Sequence, residues 1–532
     1  MGSNIILYNL IIAVFFLSPK LSADQLTSLE NHPFIKCETP RAMEIDFSGA
    51  GKIASRLDLD TSVLSSLGHF RVHYDTSGYH APDPEDLDLN GIPDYVDSTL
   101  VYLEHAWDLQ VNQLGYDPPM DDNGEGGGDE IDLYIKEYGS TAYYGVSKAV
   151  NKVNGSSSAY IEMDSNFKES QYASKGYDAV RITTAHEFFH VIQFRYSYDL
   201  TLSWWMEQSA VWMEEREWDD VNDYLAYLPY FFNYKSYALD SNTGNYKYGA
   251  AIWAIYLAKK FGDDQIKWIW KQIESTGKLS ISVFDEVIPA GLGEAYREFM
   301  VWNYFTNDRA NTFDFFPDSD MFDNYMGMDY RADFSPTLVD FNNINHLSSK
   351  YTELLFANGW GEHDAVRVNV IPGAGGSFKS SLVFYNSPDE YTVHVINPGG
   401  EEIPLKQTWD KVVVITSCTN FSNSNYEYTL DTEILSGVYV ENSPLYALKL
   451  HGAYPNPFNP STTIRFALSE PGYVSVRGFN SQGQMAAELY SGNLTAGEKR
   501  IFWKPENLAG GIYFINITTP HGTKTTKSLF LK

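Results

Sequence analysis

Cysteine is nearly absent: Cys37 and Cys418 are the only two in 532 residues, which excludes a disulfide-framed scaffold. In an oxidising compartment the two could pair, and nothing in their spacing decides it. Basic residues are also scarce, 38 Lys and Arg against 69 Asp and Glu, for a formal charge of −31. Such a field repels nucleic acid and anionic membrane surfaces and favours divalent cations. No segment after Leu17 is apolar for long enough to form a membrane helix. The one run, Ile5 to Leu17 within "MGSNIILYNLIIAVFFLSPKLSADQ", is too short to span a bilayer. With small residues at Ser22 and Ala23 it has the layout of a secretory signal peptide, residues 1–23, although its n-region lacks Lys or Arg. The alternative is a buried N-terminal helix.

What is present points to a globular, β-rich chain: 43% hydrophobic and 15% aromatic residues. The length predicts roughly three domains at about 150 residues each. Residues 24–68 are polar without a period and are expected to form an N-terminal pro-segment. From "GHFRVHYDTSG" the pattern changes. "DEIDLYIKEYG" and "SAYIEMDSNF" alternate as strands, the latter with an edge-strand pattern, and residues 177–218 and 246–275 have helical periodicity. Strands first and helices later predict an α+β domain over 69–310. Turns such as "PGAGG", "NSPDE" and "NPGGEE" then separate short strands, predicting a β-sandwich over 311–445. A Pro and Asn cluster in "LHGAYPNPFNPSTTIRFAL" opens a second sandwich over 446–532.

"DLDLNGIPDYVD", residues 86–97, follows a twelve-residue calcium loop. Asp86, Asp88, Asn90, Asp94 and Asp97 fill positions 1, 3, 5, 9 and 12, and Gly91 stands at the sharp sixth position. Asp97 replaces the usual bidentate Glu, and Pro93 is unusual there. A solvated acidic turn is the alternative, and a structural role is expected in either case. The acidic stretch from Asp121, "DDNGEGGGDE", lacks fixed spacing and is a weaker candidate.

"TTAHEFFHVIQF" carries two histidines four apart, His186 and His190, which on a helix present their imidazoles to one ion. Glu187 lies about 100° round the helix, beside such an ion, where a general base would stand. Phe188, Phe189 and Ile192 are expected to anchor the helix. A catalytic zinc takes three protein ligands and keeps one open position, and the next histidine is as distant as His346. "WWMEQSAVWMEEREW" offers Glu207 and Glu214 on one helix face, one as ligand and the other as support for a ligating histidine. Cys37 has two readings: a packed, structural thiol, as lone cysteines usually are, or a cap on the metal, since a thiolate binds zinc well.

"HEFFH" followed after seventeen residues by Glu207 resembles the gluzincin zinc metallopeptidases. The resemblance implies a zincin-like fold for 69–310, with His186, His190 and Glu207 as zinc ligands and Glu187 as catalytic base. Trp204, Ala210 and Glu214 match the family's tryptophan, small packing residue and trailing acid, while Met206, Gln208 and Ser209 depart from its pattern. "NYKYGAAIWAIYLAKKFG" is similar to the helix carrying a Tyr-x-x-Gly-Ala motif, which assigns the oxyanion-stabilising phenol to Tyr246, with Tyr248 as competitor. The order of the whole region looks like a group of uncharacterised secreted bacterial metallopeptidases. The implied mechanism has zinc polarise the scissile carbonyl and acidify a water, Glu187 carry the proton to the leaving amine, and Tyr246 steady the oxyanion.

"AYPNPFNPSTTIRFAL", "VSVRGFNSQGQMAAEL", "AGEKRIFW" and "LAGGIYFINITT" resemble the C-terminal sorting domain of the type IX secretion system. That implies export through the periplasm to the surface of a Gram-negative bacterium. The alternative is a carbohydrate-binding or adhesive sandwich. The expectation is therefore a secreted zinc peptidase, assumed monomeric, with a calcium-stabilised catalytic domain, a protein or peptide substrate, and the type IX machinery as partner. The competing classes are an inactive binding or adhesion protein on the same fold, and a non-peptidase zinc hydrolase.

Overall fold

A computed structural model describes residues 36–48, 56–322, 327–334, 337–356, 365–397, 399–435, 448–468, 471–505, 508–520 and 522–532. The expected signal peptide lies outside these residues, as do 24–35 and 49–55 of the expected pro-segment. The chain divides into two compact units, Met1–Tyr439 and Val440–Lys532.

A five-stranded sheet organises the first part of unit one. Its strands are β1 (Thr61–Leu64), β2 (Phe70–Tyr74), β3 (Ile131–Lys136), β4 (Gly145–Val153) and β5 (Ser156–Asp164), in the order β1-β2-β3-β5-β4. β2, β3 and β5 run parallel, whereas β1 and β4 pair antiparallel at the two edges. One expectation is refined here and one is corrected. Residues 61–64, assigned to the pro-segment, form an edge of this sheet; a four-residue strand, TSVL, is too short to show alternation. The edge nearest the helices is β4 and not the "SAYIEMDSNF" strand, which is interior and buried at eight of its nine positions.

Four helices matter for the site: α1 (Thr39–Ser48), α2 (Asp94–Trp107), α3 (Gly176–Tyr196) and α4 (Ser203–Glu217). α3 packs on β4, β5, α2 and α4. Phe188 meets Phe70 edge-on and Phe189 meets Tyr116, with ring centroids 5.0 Å apart in both pairs, so these aromatics anchor the helix as their spacing implied. α4 is buried without interruption from Ser203 to Glu214; a helix apolar on one stripe only would not be. Beyond it come α5 (Ile252–Phe261), α6 (Asp264–Thr276) and α7 (Leu292–Trp302). Trp270 of α6 stacks on Trp205 of α4.

At the end of α4, the Glu217 carboxylate accepts from Gln110 Nε2 at 2.6 Å, and the same amide reaches the Ala185 carbonyl of α3 at 3.0 Å. Burial pushes the Glu217 carboxyl up to about 8 from 4.5. The folded state thus holds a proton there that the unfolded chain releases, so its stabilising contribution is complete below pH 4.5 and is lost as pH rises to about 8. Melting curves of a Glu217→Gln variant should show a shallower decline over that window; an unchanged slope would remove Glu217 from the account.

Among the described residues, nine further strands follow in unit one: β6 (Tyr330–Phe334), β7 (Thr337–Ile344), β8 (Ser349–Phe356), β9 (Ala365–Pro372), β10 (Phe378–Ser387), β11 (Glu390–Ile396), β12 (Glu401–Pro404), β13 (Lys411–Cys418) and β14 (Tyr426–Leu435). They form two sheets, β11-β10-β13-β8-β6 and β12-β9-β14-β7, over a shared core that includes Leu382, Phe384, Val412, Val414, Val366, Val368 and Leu430. The alternate residues Val383, Tyr385, Val413 and Ile415 join the core of the helical part instead. β10 and β13 are thus buried on both faces, and the centre of β13, "VVVI" at 412–415, is continuously apolar as such strands are. α7 lies on them: Arg297 Nη1 donates to Ser381 Oγ at 2.6 Å, and the Tyr351 hydroxyl donates to the Met300 carbonyl at 2.7 Å. The sandwich expected for 311–445 is therefore built into one compact unit with the helices before it, and that unit ends at Tyr439 rather than at residue 310. Cys37 and Cys418 are both buried and free.

Unit two is a separate sandwich. A three-stranded sheet (Leu448–Tyr454, Thr462–Leu468, Gly497–Trp503) and a four-stranded one (Gly472–Asn480, Met485–Leu494, Gly511–Thr519, Gly522–Phe530) enclose a core including Phe458, Ile464, Phe466, Val476, Trp503, Ile515 and Ile517.

Candidate metal centre

α3 and α4 cross so that His186, His190 and Glu207 meet. The two imidazoles stand edge to face, 4.6 Å between centroids. His186 Nε2 lies 3.4 Å from one Glu207 oxygen and His190 Nε2 lies 3.4 Å from the other. All three side chains are buried, at 2%, 0% and 0% exposure. Neither Nε2 and neither Glu207 oxygen has a hydrogen-bond partner, a costly state for four buried polar atoms. Donors bonded to one tetrahedral ion at about 2.1 Å stand about 3.4 Å apart. The spacing and chemistry of this set therefore fit zinc.

Both histidines are held from behind. His186 Nδ1 meets Glu214 Oε1 at 2.6 Å, and His190 Nδ1 meets Gln193 Oε1 at 2.7 Å. The Gln193 amide in turn donates to the Met206 carbonyl at 3.0 Å and to Ser209 Oγ at 3.1 Å, tying α3 to the segment that carries Glu207. Such partners fix the ring orientation and direct the free Nε2 atoms to one point. Burial opposes charge on His186, but Glu207 and Glu214 outweigh it and push that imidazole up to about 10. Burial likewise raises the Glu207 carboxyl, but His190 and His186 together hold it well below the usual carboxylate range.

Glu187 sits beside this point. Its Oε2 accepts from Ser147 Oγ at 2.8 Å and from Thr39 Oγ1 at 3.2 Å, while its Oε1 is buried without a partner. It is pressed against β4 at Gly145, where a Cβ would stand 2.8 Å from Glu187 Cγ and 3.1 Å from the Glu162 carbonyl oxygen. A Gly145→Ala variant must move one of these. With Glu187 as the general base proposed below, a misplacement of about 1 Å would cost on the order of 100-fold in rate, so on that reading Gly145→Ala should lose peptide hydrolysis on that scale and still bind zinc. Wild-type activity in that variant would show that the close approach is dispensable.

The two tyrosines weighed as oxyanion donor are placed differently. The Tyr246 hydroxyl donates to the Tyr237 carbonyl at 3.3 Å, away from the cluster. Tyr248 reaches it instead, its hydroxyl donating to the Cys37 carbonyl at 3.2 Å and accepting from the Cys37 amide at 3.3 Å. The two tyrosines lie in a four-residue helical turn, Tyr246–Gly249, where a shift of two positions reverses the side-chain direction.

Sequence reasoning missed Gln193, Ser147, Lys36 and Asp223. The three-residue step from His190 to Gln193 along α3 was a readable signal, whereas Ser147 and Lys36 arrive from elsewhere in the chain. Lys36 Nζ donates to Glu214 Oε2 at 2.6 Å and also pairs with Asp223. Cys37 arrives with it. Its Sγ and one donor atom each from His186, His190 and Glu207 all lie within 4.8 Å of one another.

The calcium-type loop is folded around its carboxylates. Asp86, Asp88 and Asp94 each bring an oxygen within 4.8 Å of the others. Gly91 N–H donates to Asp86 at 2.9 Å, from a backbone at φ +89° that favours glycine, and Leu87 N–H donates to Asp94 at 3.1 Å. Asn90 Nδ2 donates to Asp88 at 3.1 Å and to Asp97 at 2.8 Å, which links Asp97 to that trio. In the other acidic stretch, Asp122 and the nearby Asp132 are both paired with Arg56, which makes it an ion-pair network.

Residues 452–532 match the family described as the secretion system C-terminal sorting domain. Unit two is a type IX secretion sorting domain. The sorting domain directs the protein through the type IX system, to be displayed at the cell surface or released, and so engages the secretion machinery. No helix of the described residues is long and apolar enough to cross a membrane. No curated protein matches the chain. Among solved structures it is similar to the glycoside hydrolase domain of Endo-D from Streptococcus pneumoniae R6 (12% identity, TM-score 0.13, 37% of this chain and 32% of that one). Others are a Faecalibacterium prausnitzii beta-glucuronidase (8%, 0.13, 37% and 38%) and the Ruminococcus gnavus b-glucuronidase with D-glucuronic acid (11%, 0.13, 37% and 37%). The chain spans about a third of the length of these structures, and likeness at this level carries no functional argument.

Proposed function

We propose that unit one is a secreted zinc-dependent peptidase of gluzincin type, with a zincin-like fold around α3 and α4. The observation that carries this reading is the convergence of four unpartnered buried donors, His186 Nε2, His190 Nε2 and both Glu207 oxygens, with separations of 3.4 Å. His186, His190 and Glu207 would hold the ion. When bound, zinc supplies Lewis acidity, polarising a carbonyl and acidifying water. Glu187 Oε1, free of partners, takes the proton from the attacking water and delivers it to the leaving amine. Ser147 keeps that carboxylate oriented. The Tyr248 phenol is the proposed hydroxyl donor for a developing oxyanion. An extended peptide could add to the edge strand β4 beside Glu187 in place of residues 36–39, which pair with it at Gly145.

The test is incubation with casein and with a peptide library, as purified and after limited proteolysis, with fragments read by mass spectrometry. New peptide termini that vanish with a chelator and return with zinc are expected. Zinc-dependent hydrolysis confined to other bonds would replace the peptidase reading with another hydrolase, and zinc binding without hydrolysis would leave a binding protein.

Loop 86–97 is proposed to bind calcium through Asp86, Asp88 and Asp94 in a structural role. Calcium at about a hundred times its Kd should raise stability by about 2.7 kcal/mol, read as a higher Tm, and Asp86→Ala should abolish the increase. An equal increase in that variant would exclude the loop.

A further inference from the structure

The N-terminal strap, residues 36–39, touches every working part of the centre. The Lys36 ammonium bonds Glu214, the acid behind His186. The Cys37 backbone takes both hydrogen-bonding roles of the Tyr248 hydroxyl. The Thr39 hydroxyl bonds the Glu187 carboxylate. The strap also occupies the start of β4: Glu38 N–H donates to the Gly145 carbonyl at 3.0 Å, Tyr144 N–H donates to the Lys36 carbonyl at 2.9 Å, and Cys37 bridges Gly145 in parallel. These are backbone groups at the edge that an incoming peptide would need.

Between those contacts, Cys37 Sγ joins the donors of His186, His190 and Glu207, and Cys37 is itself 1% exposed. Three protein ligands leave zinc an open position for chemistry, whereas four close it. A thiolate is among the strongest ligands for that fourth position.

We infer that Cys37 Sγ is the fourth protein ligand of the ion held by His186, His190 and Glu207, so that residues 36–39 keep the centre closed until they withdraw. This rests on the zinc reading above. Coordination releases the thiol proton to solvent, and withdrawal of the strap would restore in one movement the open ligand position, the free Glu187 carboxylate, the Tyr248 donor and the edge of β4. Cys37 is thus assigned a ligand role instead of the structural one that lone cysteines usually have.

Zinc K-edge X-ray absorption of the zinc-loaded full chain reads the ligand set independently of activity. Wild type and Cys418→Ser should each show one sulfur at about 2.3 Å with the remaining ligands nitrogen or oxygen at about 2.0–2.2 Å. Cys37→Ser should keep zinc and lose the sulfur. Bound zinc with only nitrogen and oxygen in wild type would overturn the role of Cys37 while leaving the three-ligand site intact. A wild-type protein that binds no zinc at all would overturn the three-ligand site, and this inference with it. Because wild type and Cys418→Ser decide the question, a Cys37→Ser chain that fails to fold does not obscure it.

Discussion

Glu187→Gln is expected to lower kcat/KM for peptide hydrolysis by about 10²- to 10⁴-fold, the contribution of a positioned general base, with zinc content unchanged. The amide keeps the shape of the carboxylate and can still meet Ser147 and Thr39, which bond only Oε2. What it loses is the capacity of the unpartnered Oε1 to take a proton. Steady-state kinetics beside metal analysis separates this from collapse of the site: the fall should appear in kcat, with the three ligands still loaded. A variant that hydrolyses at the wild-type rate would remove Glu187 from the chemistry.

Lys36→Met is expected to destabilise unit one by about 3–5 kcal/mol, the cost of stranding buried charges by removing their partner. Lys36 is 2% exposed and bonds both Glu214 and Asp223, at 1% and 4% exposure. Burial disfavours the Asp223 carboxylate, yet the ammonium beside it holds it below its ordinary range. Without the cation, two carboxylates face each other in a closed space. Denaturant titration of the full chain should show an earlier first transition, and adding Asp223→Asn should recover part of the loss. A loss below about 1 kcal/mol, typical of exposed ion pairs, would mean that the strap is only loosely held.

The parts of the centre that were legible in sequence are those set by position on one helix. His186, Glu187 and His190 share α3, and their relative directions follow from the helical repeat. Glu207 and Glu214 share α4, one turning to the metal point and the other to His186 Nδ1. Legibility ends where the partner comes from elsewhere in the chain. Ser147 stands on β4, whose sequence GVSKAVNKV becomes too polar toward its end to mark an edge strand beside the site. Lys36 and Cys37 belong to a polar stretch with no period, and only the folded chain brings them to Glu214 and Glu207. Tyr246 and Tyr248 could not be separated because a four-residue turn extends no repeat by which to aim them. The strands of 311–445 were legible from the turns between them, but nothing in the sequence assigned β10 and β13 a second buried face, which α7 covers.

The zinc content of the purified full chain bears most directly on the whole account. One zinc per chain is expected in the wild type and in Glu187→Gln, and none at stoichiometry in His190→Ala or Glu207→Ala. A wild-type chain without stoichiometric zinc, or a His190→Ala chain that retains as much as wild type, would contradict the centre proposed for α3 and α4.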